Sequence, residues 1–184
     1  MTYFFDVMST LIYDPFLIDV PKVLNQDLKT FLSDKDRYAW IDFELGAIDE
    51  AEFARRFSKD GQQAYVMRDI IWSRYRWLEG MKELLVSLRE QGNTICTLSN
   101  YPTWYHELDR RVTLSPYIDH HFVSYRLQAR KPSPKAYTIP LKTMKCTPEQ
   151  AIFIDDRKEN CEAAQALGIR AILFQNANQL KEEL

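Results

Sequence analysis

The chain has 184 residues, 46% of them hydrophobic and 27% charged, and its formal net charge is -2. This composition excludes a disordered chain and allows one full core with a small inserted unit. The weak negative charge excludes the basic surface that non-specific nucleic-acid binding requires, so no nucleic-acid partner is expected.

Neither a membrane association nor a targeting segment is expected. No apolar run reaches the roughly 20 residues that a membrane helix needs, and the N-terminus lacks a basic region followed by an apolar stretch. The three cysteines, Cys96, Cys146 and Cys161, are odd in number and widely spaced. Structural disulfides are therefore not expected, and a reducing compartment is predicted, either the cytoplasm or a plastid. The oligomeric state stays open between a monomer and a homodimer.

The chain begins with a predicted buried strand, Thr2–Phe5, that ends at the carboxylate of Asp6. Residues 15–77 then show helical patterns and no convincing strand. We expect helices from Pro21 to Leu32, from Tyr38 to Gly46, from Asp49 to Gly61 and from Ala64 to about Arg76. Asp49 with Glu52 three residues later resembles a capping box. This segment is interpreted as a small helical bundle.

After Gly80 the pattern changes to helices that alternate with short apolar strands. We expect strands at residues 93–98, 120–125, 151–154 and 171–174, and helices at residues 81–92, at 103–112, from Ser133 onward and at 160–168. Pro140 should kink the third of these helices or shift its end. The alternation predicts an α/β fold with a parallel sheet covered on both faces. The division is residues 1–14 and 78–184 as the core, with residues 15–77 inserted after the first strand.

Polar residues follow the predicted strands, and the carboxyl ends of parallel strands form one edge at which ligands bind. These residues are Asp6, Ser99, Asn100, Asp155 and Asp156, with Lys131 in the loop beyond the third strand. Asp6 and one of the paired aspartates can hold a hard cation such as Mg²⁺. The cation, Lys131 and Ser99 can neutralise a phosphoryl group while the free oxygen of Asp6 attacks phosphorus. Without a cation or a lysine, three clustered carboxylates would repel one another.

Each of these residues also has a purely structural interpretation. Asp6 can start a turn, as can Ser99 with Asn100, the two adjacent aspartates can cap a helix, and Lys131 can be a solvated surface charge. The functional interpretation depends on their order along the chain and on the strand that precedes each of them.

Four segments in this order, FFDVMSTL, CTLSNYP, ARKPSPKAY and IFIDDRKENCEAAQALGI, resemble the motifs of the haloacid dehalogenase (HAD) superfamily. The resemblance covers essentially the whole chain, and it implies a three-layer Rossmann-like core with residues 15–77 as a helical cap. The form IFIDDRKEN is similar to the branch that contains α-glucose-1-phosphatases and the phosphatase domain of soluble epoxide hydrolases. Other stretches, such as WIDFELGAIDEAEFARRF, are similar to the plant FMN hydrolases.

The resemblance also implies a role for each residue. Asp6 is the nucleophile that forms an aspartyl-phosphate, and Ser99, Asn100 and Lys131 bind the phosphoryl group, Lys131 also being catalytic. The cofactor is Mg²⁺, and its implied ligands are Asp6, Asp155, Asp156 and the backbone carbonyl of Met8. The implied activity is hydrolysis of a small phosphomonoester, either FMN or a related nucleotide or sugar phosphate.

Met8 is the departure from the family pattern, because most phosphatases of the superfamily carry Asp there as general acid and base. A thioether transfers no proton, and that help is typically worth about 10²–10⁴-fold. Two alternatives therefore stay open: a catalytically silent protein that binds a phosphoryl ligand, and a dehalogenase. The pair Asp155–Asp156 argues against the dehalogenase. His106, after the SNYP loop, is either a substitute acid or a residue of a surface helix.

Overall fold

The structure is a computed structural model that describes residues 1–33, 35–59 and 61–184. Its centre is a five-stranded parallel sheet with the strand order β3-β2-β1-β4-β5. The strands are β1 (Thr2–Phe5), β2 (Thr94–Ser99), β3 (His120–Val123), β4 (Ala151–Asp155) and β5 (Arg170–Leu173). The predicted α/β fold with a parallel sheet is thus confirmed, and the observed strands lie within one or two residues of the predicted ones.

The register of the sheet brings the carboxyl ends of three strands together. Phe5, the last residue of the central strand β1, lies beside Thr97 of β2 and Ile154 of β4. The backbone N–H of Asp6 continues the ladder by donating to the carbonyl of Ile154 at 2.8 Å. Because β1 has neighbours on both sides, the residue that follows it lies in the middle of the edge, between the ends of β2 and β4.

Helices cover both faces of the sheet, and a buried apolar cluster lies on each side of it. The helices that follow the first strand are α1 (Asp19–Val23), α2 (Leu28–Ser33), α3 (Arg37–Glu44), α4 (Glu50–Phe57) and α5 (Gln62–Arg74). Those that belong to the remainder of the chain are α6 (Met81–Glu90), α7 (Tyr105–Val112), α8 (Ser124–Leu127), α9 (Pro134–Met144), α10 (Lys158–Gln165) and α11 (Ala177–Glu183). Within the described ranges, no helix has the length and apolar character needed to cross a membrane.

The helical segment is more broken than the sequence pattern indicates. The single helix predicted from Pro21 to Leu32 is wrong, because α1 ends at Val23 and α2 begins at Leu28, with Asn25 between them at φ 53°. Gly46, at φ 69°, ends the following helix as predicted, and a Cβ there would meet the carbonyl oxygen of Tyr125 at 2.8 Å. This glycine is therefore required both by its backbone conformation and by a neighbouring loop.

Other boundaries also differ from the prediction. The strand predicted to run to Tyr125 ends at Val123, because the next four residues form α8. Pro140 neither ends nor shifts α9, which continues to Met144 with Pro140 buried in its interior. The capping box at Asp49 is half formed: Asp49 accepts the N–H of Glu52, but the Glu52 side chain pairs with Arg55 instead. Helix α11 has no counterpart in the sequence prediction.

The two chain segments that lead into and out of the helices α1–α5 run side by side. The N–H of Tyr13 donates to the carbonyl of Arg76 at 2.9 Å, and the N–H of Leu78 donates to the carbonyl of Leu11 at 2.9 Å. We call residues 15–77, between these paired segments, the helical insertion. Its assignment as a separate cap remains a prediction.

Candidate active site

Lys131 lies between two carboxylates at the carboxyl edge of the sheet. Its Nζ donates to Oδ1 of Asp6 and to Oδ2 of Asp155, each at 2.6 Å. Lys131 is 1% exposed, Asp155 is 0% exposed and Asp6 is 8% exposed. Charges buried to this degree are tolerated only when they are paired, so the three groups form one electrostatic unit.

Burial decides the protonation of this unit when no cation is present. Burial raises the pKa of Asp6 to about 7, although Lys131 opposes the shift, and the neighbouring charge of Asp155 adds to it. Burial also works against the charge of Lys131, but the attraction of Asp6 and Asp155 outweighs it, and the pKa of Lys131 is raised. Burial and the charge of Asp155 raise the pKa of Asp156 to about 6. The shifts of Asp6 and Asp156 both favour the protonated form, as expected when three clustered carboxylates share one lysine.

The donor set at this edge fits a hard divalent cation. Oxygen atoms of Asp6, Asp155 and Asp156 lie within 4.8 Å of one another. Carboxylate oxygens in such a group are the ligands that Mg²⁺ prefers, together with several waters. No backbone N–H in the described ranges donates to the carbonyl of Met8, whereas three donate to the carbonyl of Val7. The Met8 carbonyl is thus available as a further oxygen ligand.

Asp155 and Asp156 have different surroundings. Asp155 Oδ1 accepts the N–H of Arg157 at 2.8 Å and Nδ2 of Asn160 at 3.0 Å, and Oδ2 accepts Lys131 and also Asn160 at 3.1 Å. Asp156 is exposed, and its side chain makes no hydrogen bond or ion pair to another residue that the structure describes. Asp156 is therefore the carboxylate that is free to bind a cation directly, while Asp155 holds Lys131 and the start of α10.

The loop that carries Lys131 is fixed to the end of β2 by Asn100. Asn100 Nδ2 donates to the Lys131 carbonyl, and the Lys131 N–H donates to Asn100 Oδ1, both at 2.8 Å. Both polar groups of the Asn100 side chain are thus used to position Lys131. The neighbouring Ser99 hydroxyl is buried and has no hydrogen-bond partner among the described residues. A buried hydroxyl left unpaired costs free energy, which a bound phosphoryl oxygen would recover.

A cavity of about 260 Å³ opens over these groups, and the helical insertion forms its opposite wall. This volume is close to the lower end of small-molecule sites, at roughly 300 Å³. The wall contributed by residues 14–71 is largely apolar; its members are Asp14, Phe16, Leu17, Trp40, Glu44 and Ile71. The rings of Phe16 and Trp40 are stacked, with centroids 5.7 Å apart. The cavity is therefore charged at its floor and aromatic at its wall.

Glu44 of α3 links the helical insertion to the Lys131 loop. Its Oε2 pairs with Arg130 at 2.8 Å, and its Oε1 accepts the indole N–H of Trp40 at 2.8 Å. Burial raises the pKa of Glu44, with Arg130 opposing the shift. Since Arg130 precedes Lys131, this ion pair fixes the insertion against the loop that carries the buried lysine.

The structure places every residue predicted for the site at one edge of the sheet. The side chains of Asp6, Lys131 and Asp155 are in direct contact, and Asp156 lies beside them. His106 does not line the cavity; it is on α7, where its Nε2 contacts the Tyr125 hydroxyl at 2.8 Å. Its interpretation as a residue of a surface helix is the one that fits the structure.

Three side chains at the site were not singled out from the sequence: Asn160, Glu44 and Asp14. Asn160 follows Asp155 by five residues, so the spacing within IFIDDRKEN could have indicated that it returns to the same carboxylate. Glu44 lies 86 residues from its partner Arg130, and no local pattern indicates that contact. Three aromatic residues, Phe16, Trp40 and Tyr101, line the cavity, whereas Phe43, Phe53 and Trp104 are buried in the core.

Comparison with known proteins extends these observations. The sequence profile of a family described as haloacid dehalogenase-like hydrolase matches residues 46–174. The chain is 37% identical over 182 residues to flavin mononucleotide hydrolase 1 of Arabidopsis thaliana. This alignment covers 98% of this chain and 74% of that protein. It is 29% identical over 111 residues to the bifunctional epoxide hydrolase 2 of Mus musculus, covering 56% of this chain and 20% of that protein.

Solved structures show the same fold. A HAD family enzyme of Bacteroides thetaiotaomicron superimposes with a TM-score of 0.80 at 20% identity, covering 99% of this chain and 97% of that one. The wild-type form of that enzyme in complex with magnesium and inorganic phosphate gives a TM-score of 0.74 at 22% identity, with 95% and 94% covered.

Proposed function

The chain belongs to the haloacid dehalogenase-like hydrolase family, and we propose that it is a Mg²⁺-dependent phosphatase that hydrolyses a small phosphomonoester through an aspartyl-phosphate on Asp6. The observation that carries this proposal is the buried Lys131, which pairs with Asp6 and Asp155 at 2.6 Å beside the exposed carboxylate of Asp156. If the site bound neither an anion nor a cation, nothing on the cavity side would offset the free-energy cost of burying these charged side chains.

Each residue has a task that follows from its surroundings. Asp6 attacks phosphorus with its free carboxylate oxygen, since Lys131 holds the other one in place. The Lys131 ammonium stabilises negative charge on the phosphoryl oxygens, and Asn100 and Asp155 fix its position. The unpaired Ser99 hydroxyl donates to one phosphoryl oxygen. Asp6, Asp156 and the Met8 carbonyl would hold a Mg²⁺, which would neutralise charge on the phosphoryl group, and Asp155 supports Lys131.

FMN is the substrate that we propose to test first. The Arabidopsis relative is named as a hydrolase of FMN, and it is 37% identical to this chain over almost the whole length of the chain. The cavity offers the stacked pair Phe16 and Trp40 above the charged floor, and a flat ring system joined to a phosphate matches that combination. A related nucleotide or sugar phosphate is the broader class.

The free cysteines favour a reducing compartment such as the cytoplasm for this reaction.

The two other interpretations of the site have less support. The exposed and unpaired Asp156 fits a metal-dependent reaction, so the geometry does not favour the dehalogenase interpretation. A silent phosphoryl-binding protein is suggested by Met8 alone. That interpretation does not explain why Asp6, which lines the cavity, has one oxygen without a partner among the described residues.

The test is a screen of phosphomonoesters, FMN among them, with and without Mg²⁺, on the wild type and on Asp6→Asn. Asparagine keeps the volume of Asp6 but removes the attacking carboxylate, so turnover should vanish while the fold persists. The matched control is Asp69→Asn, which changes an exposed carboxylate on α5 away from the cavity. Near-wild-type turnover by Asp6→Asn would refute the covalent mechanism, and absence of phosphate release from every ester would favour the silent binder.

A further inference from the structure

The reaction needs a proton donor, and Met8 cannot supply one. When the bond between phosphorus and the ester oxygen breaks, an alkoxide leaves, and a group near that oxygen must protonate it. In an in-line displacement the leaving oxygen lies on the side of phosphorus away from the attacking Asp6. The donor therefore has to line the part of the cavity that the leaving oxygen enters, and Met8 and Asp14 both line this cavity.

Most titratable side chains that line the cavity have another role. Asp6 and Asp156 belong to the carboxylate cluster, and Lys131 is bound to Asp6 and Asp155. Both oxygens of Glu44 are occupied, one by Trp40 and the other by Arg130. Each of these groups would have to break an existing contact before it could transfer a proton to a leaving oxygen.

Tyr101 is also unsuited to the task. Its hydroxyl contacts the hydroxyl of Tyr75 at 2.5 Å. Burial, followed by the proximity of Tyr75 and of Asp14, raises the pKa of Tyr101 well above its ordinary value. A phenol held protonated in this way is a weak acid at neutral pH. Tyr101 and Asp14 both line the cavity.

Asp14 is the remaining carboxylate on the wall of the cavity. It follows Tyr13, whose N–H is bound to the Arg76 carbonyl, so its backbone is fixed where the chain enters the helical insertion. Its Oδ1 accepts the N–H of Phe16 at 2.9 Å. Its Oδ2 has no hydrogen-bond partner in the described ranges, and Asp14 is not a member of the metal-ligand group.

We infer that Asp14 is the general acid and base of the reaction, in place of the aspartate that is absent at position 8. The inference rests on the proposed phosphatase function. In the first step an Asp6 oxygen bonds to phosphorus, the ester P–O bond breaks, and the Asp14 proton passes to the leaving oxygen to give the alcohol. In the second step the Asp14 carboxylate takes a proton from water, whose oxygen bonds to phosphorus. The bond from phosphorus to Asp6 then breaks, which releases phosphate and restores both carboxyl groups.

Burial supports this role, because it raises the pKa of Asp14 although the Phe16 N–H opposes the shift. A larger fraction of Asp14 is therefore protonated at neutral pH than of an exposed aspartate. The single hydrogen bond to Oδ1 fixes the orientation of the carboxyl group and leaves Oδ2 as the oxygen that exchanges the proton.

The test uses a pair of substrates that differ only in the leaving group. Phenyl phosphate releases a phenol with a pKa of about 10, whereas 4-nitrophenyl phosphate releases a stable anion that needs little protonation. The measured quantity is the single-turnover rate of phenol or nitrophenol release, which reports the first step. Asp14→Asn keeps the acceptor for the Phe16 N–H and removes the proton. It should slow phenyl phosphate by roughly 10²-fold and 4-nitrophenyl phosphate much less.

Two further variants make the result specific. Met8→Asp in the Asp14→Asn background should restore the rate on phenyl phosphate preferentially, because it places a carboxyl group at the position that the family uses. Asp14→Ser, whose hydroxyl can also accept the Phe16 N–H, should reproduce the leaving-group dependence and serves if the asparagine variant does not fold. Asp69→Asn is the control on an exposed carboxylate.

The outcomes separate this inference from the proposed function. An equal loss on both esters, or no loss on either, would overturn the role of Asp14 while leaving the phosphatase assignment intact, provided that Asp6→Asn is inactive. An active Asp6→Asn would instead overturn the proposed function. Preferential loss on phenyl phosphate together with rescue by Met8→Asp would establish Asp14 as the proton donor.

Discussion

Replacing Lys131 by methionine should destabilise the protein substantially, and the loss should depend on pH. Methionine has a similar length but no charge, so both ion pairs of 2.6 Å disappear from a position that is 1% exposed. Removing one partner of a buried ion pair typically costs about 3–5 kcal/mol. Asp155 keeps its bonds from Arg157 and Asn160, whereas Asp6 loses its side-chain partner. The cost therefore falls mainly on Asp6.

The pH dependence follows from the protonation of Asp6. Its pKa is about 7 in the folded wild type, above its value of about 3.9 in the unfolded chain. Without Lys131 this folded-state pKa rises further. A raised pKa means that the folded state binds the extra proton, so stability falls as pH rises between the two values, by up to about 1.4 kcal/mol per pH unit. Near pH 7 the deprotonation of Asp6 is largely complete in the wild type, whose free energy of unfolding then stops falling. In the variant it continues to fall, so the difference in unfolding free energy between the two proteins should widen above pH 7.

Urea unfolding without Mg²⁺ from pH 6 to pH 9 measures this difference. Lys135→Met is the matched control, because Lys135 is exposed in the first turn of α9, shortly after the loop that carries Lys131. The control should stay within about 0.5 kcal/mol of the wild type at every pH. A loss for Lys131→Met below about 1 kcal/mol, the size expected for an exposed ion pair, would refute the reasoning. A difference that stays constant across the pH range would contradict the assignment of the cost to Asp6.

Three further outcomes are expected. Chelation should abolish phosphatase activity and Mg²⁺ should restore it in the wild type, but not in Asp156→Ala, which lacks the carboxylate with no protein partner; full activity in chelator would contradict this. Without Mg²⁺, the free energy of unfolding should fall as pH rises from about 4 to about 7, since the folded-state pKa values of Asp6 and Asp156 are raised to about 7 and about 6. Added Mg²⁺ should raise the thermal unfolding temperature more at pH 8 than at pH 6. Leu17→Ala should raise the KM for FMN but not for acetyl phosphate, because Leu17 lines the cavity. Its free energy of unfolding should stay within about 0.5 kcal/mol of the wild type, because Leu17 is 52% exposed. Equal effects on the KM of both substrates would exclude a contact between Leu17 and the FMN ring.

The strands and the residues at their ends could be predicted because both depend on local patterns. A run such as TYFF or AIFID is apolar enough to identify a strand without reference to the rest of the chain. The rule that ligands bind at the carboxyl ends of parallel strands then brings Asp6, Asp155 and Asp156 together although up to 150 residues separate them. The order of the strands in the sheet does not follow from the runs alone, but it was not needed to identify the edge.

The failures have physical causes that differ, one local and one distant in sequence. The apolar spacing from Pro21 to Leu32 fits one helix, yet the chain is left-handed at Asn25, and the N–H of Gln26 donates to the Pro21 carbonyl at 2.9 Å, which ends α1. Ser124 could continue β3 by its pattern, but its hydroxyl is bound to the Glu44 carbonyl and to the N–H of Tyr101, so the chain turns there into α8. The fixing of Lys131 by Asn100 likewise depends on two loops 31 residues apart.

The absence of an aspartate at position 8 can be understood from where the chain enters the helical insertion. The core supplies the nucleophile, the buried lysine and the carboxylates for a cation, all of which are fixed by the sheet. On our proposal the proton comes from Asp14, which lies six residues further along, on the segment that also brings Phe16 and Leu17 to the cavity. Proton transfer and contact with the substrate are then coupled, because one short segment performs both. A substitution that moves this segment, such as Arg76→Ala, which removes the guanidinium that lies 3.6 Å from the centroid of the Tyr13 ring, should therefore slow phenyl phosphate more than 4-nitrophenyl phosphate even when Asp14 itself is unchanged.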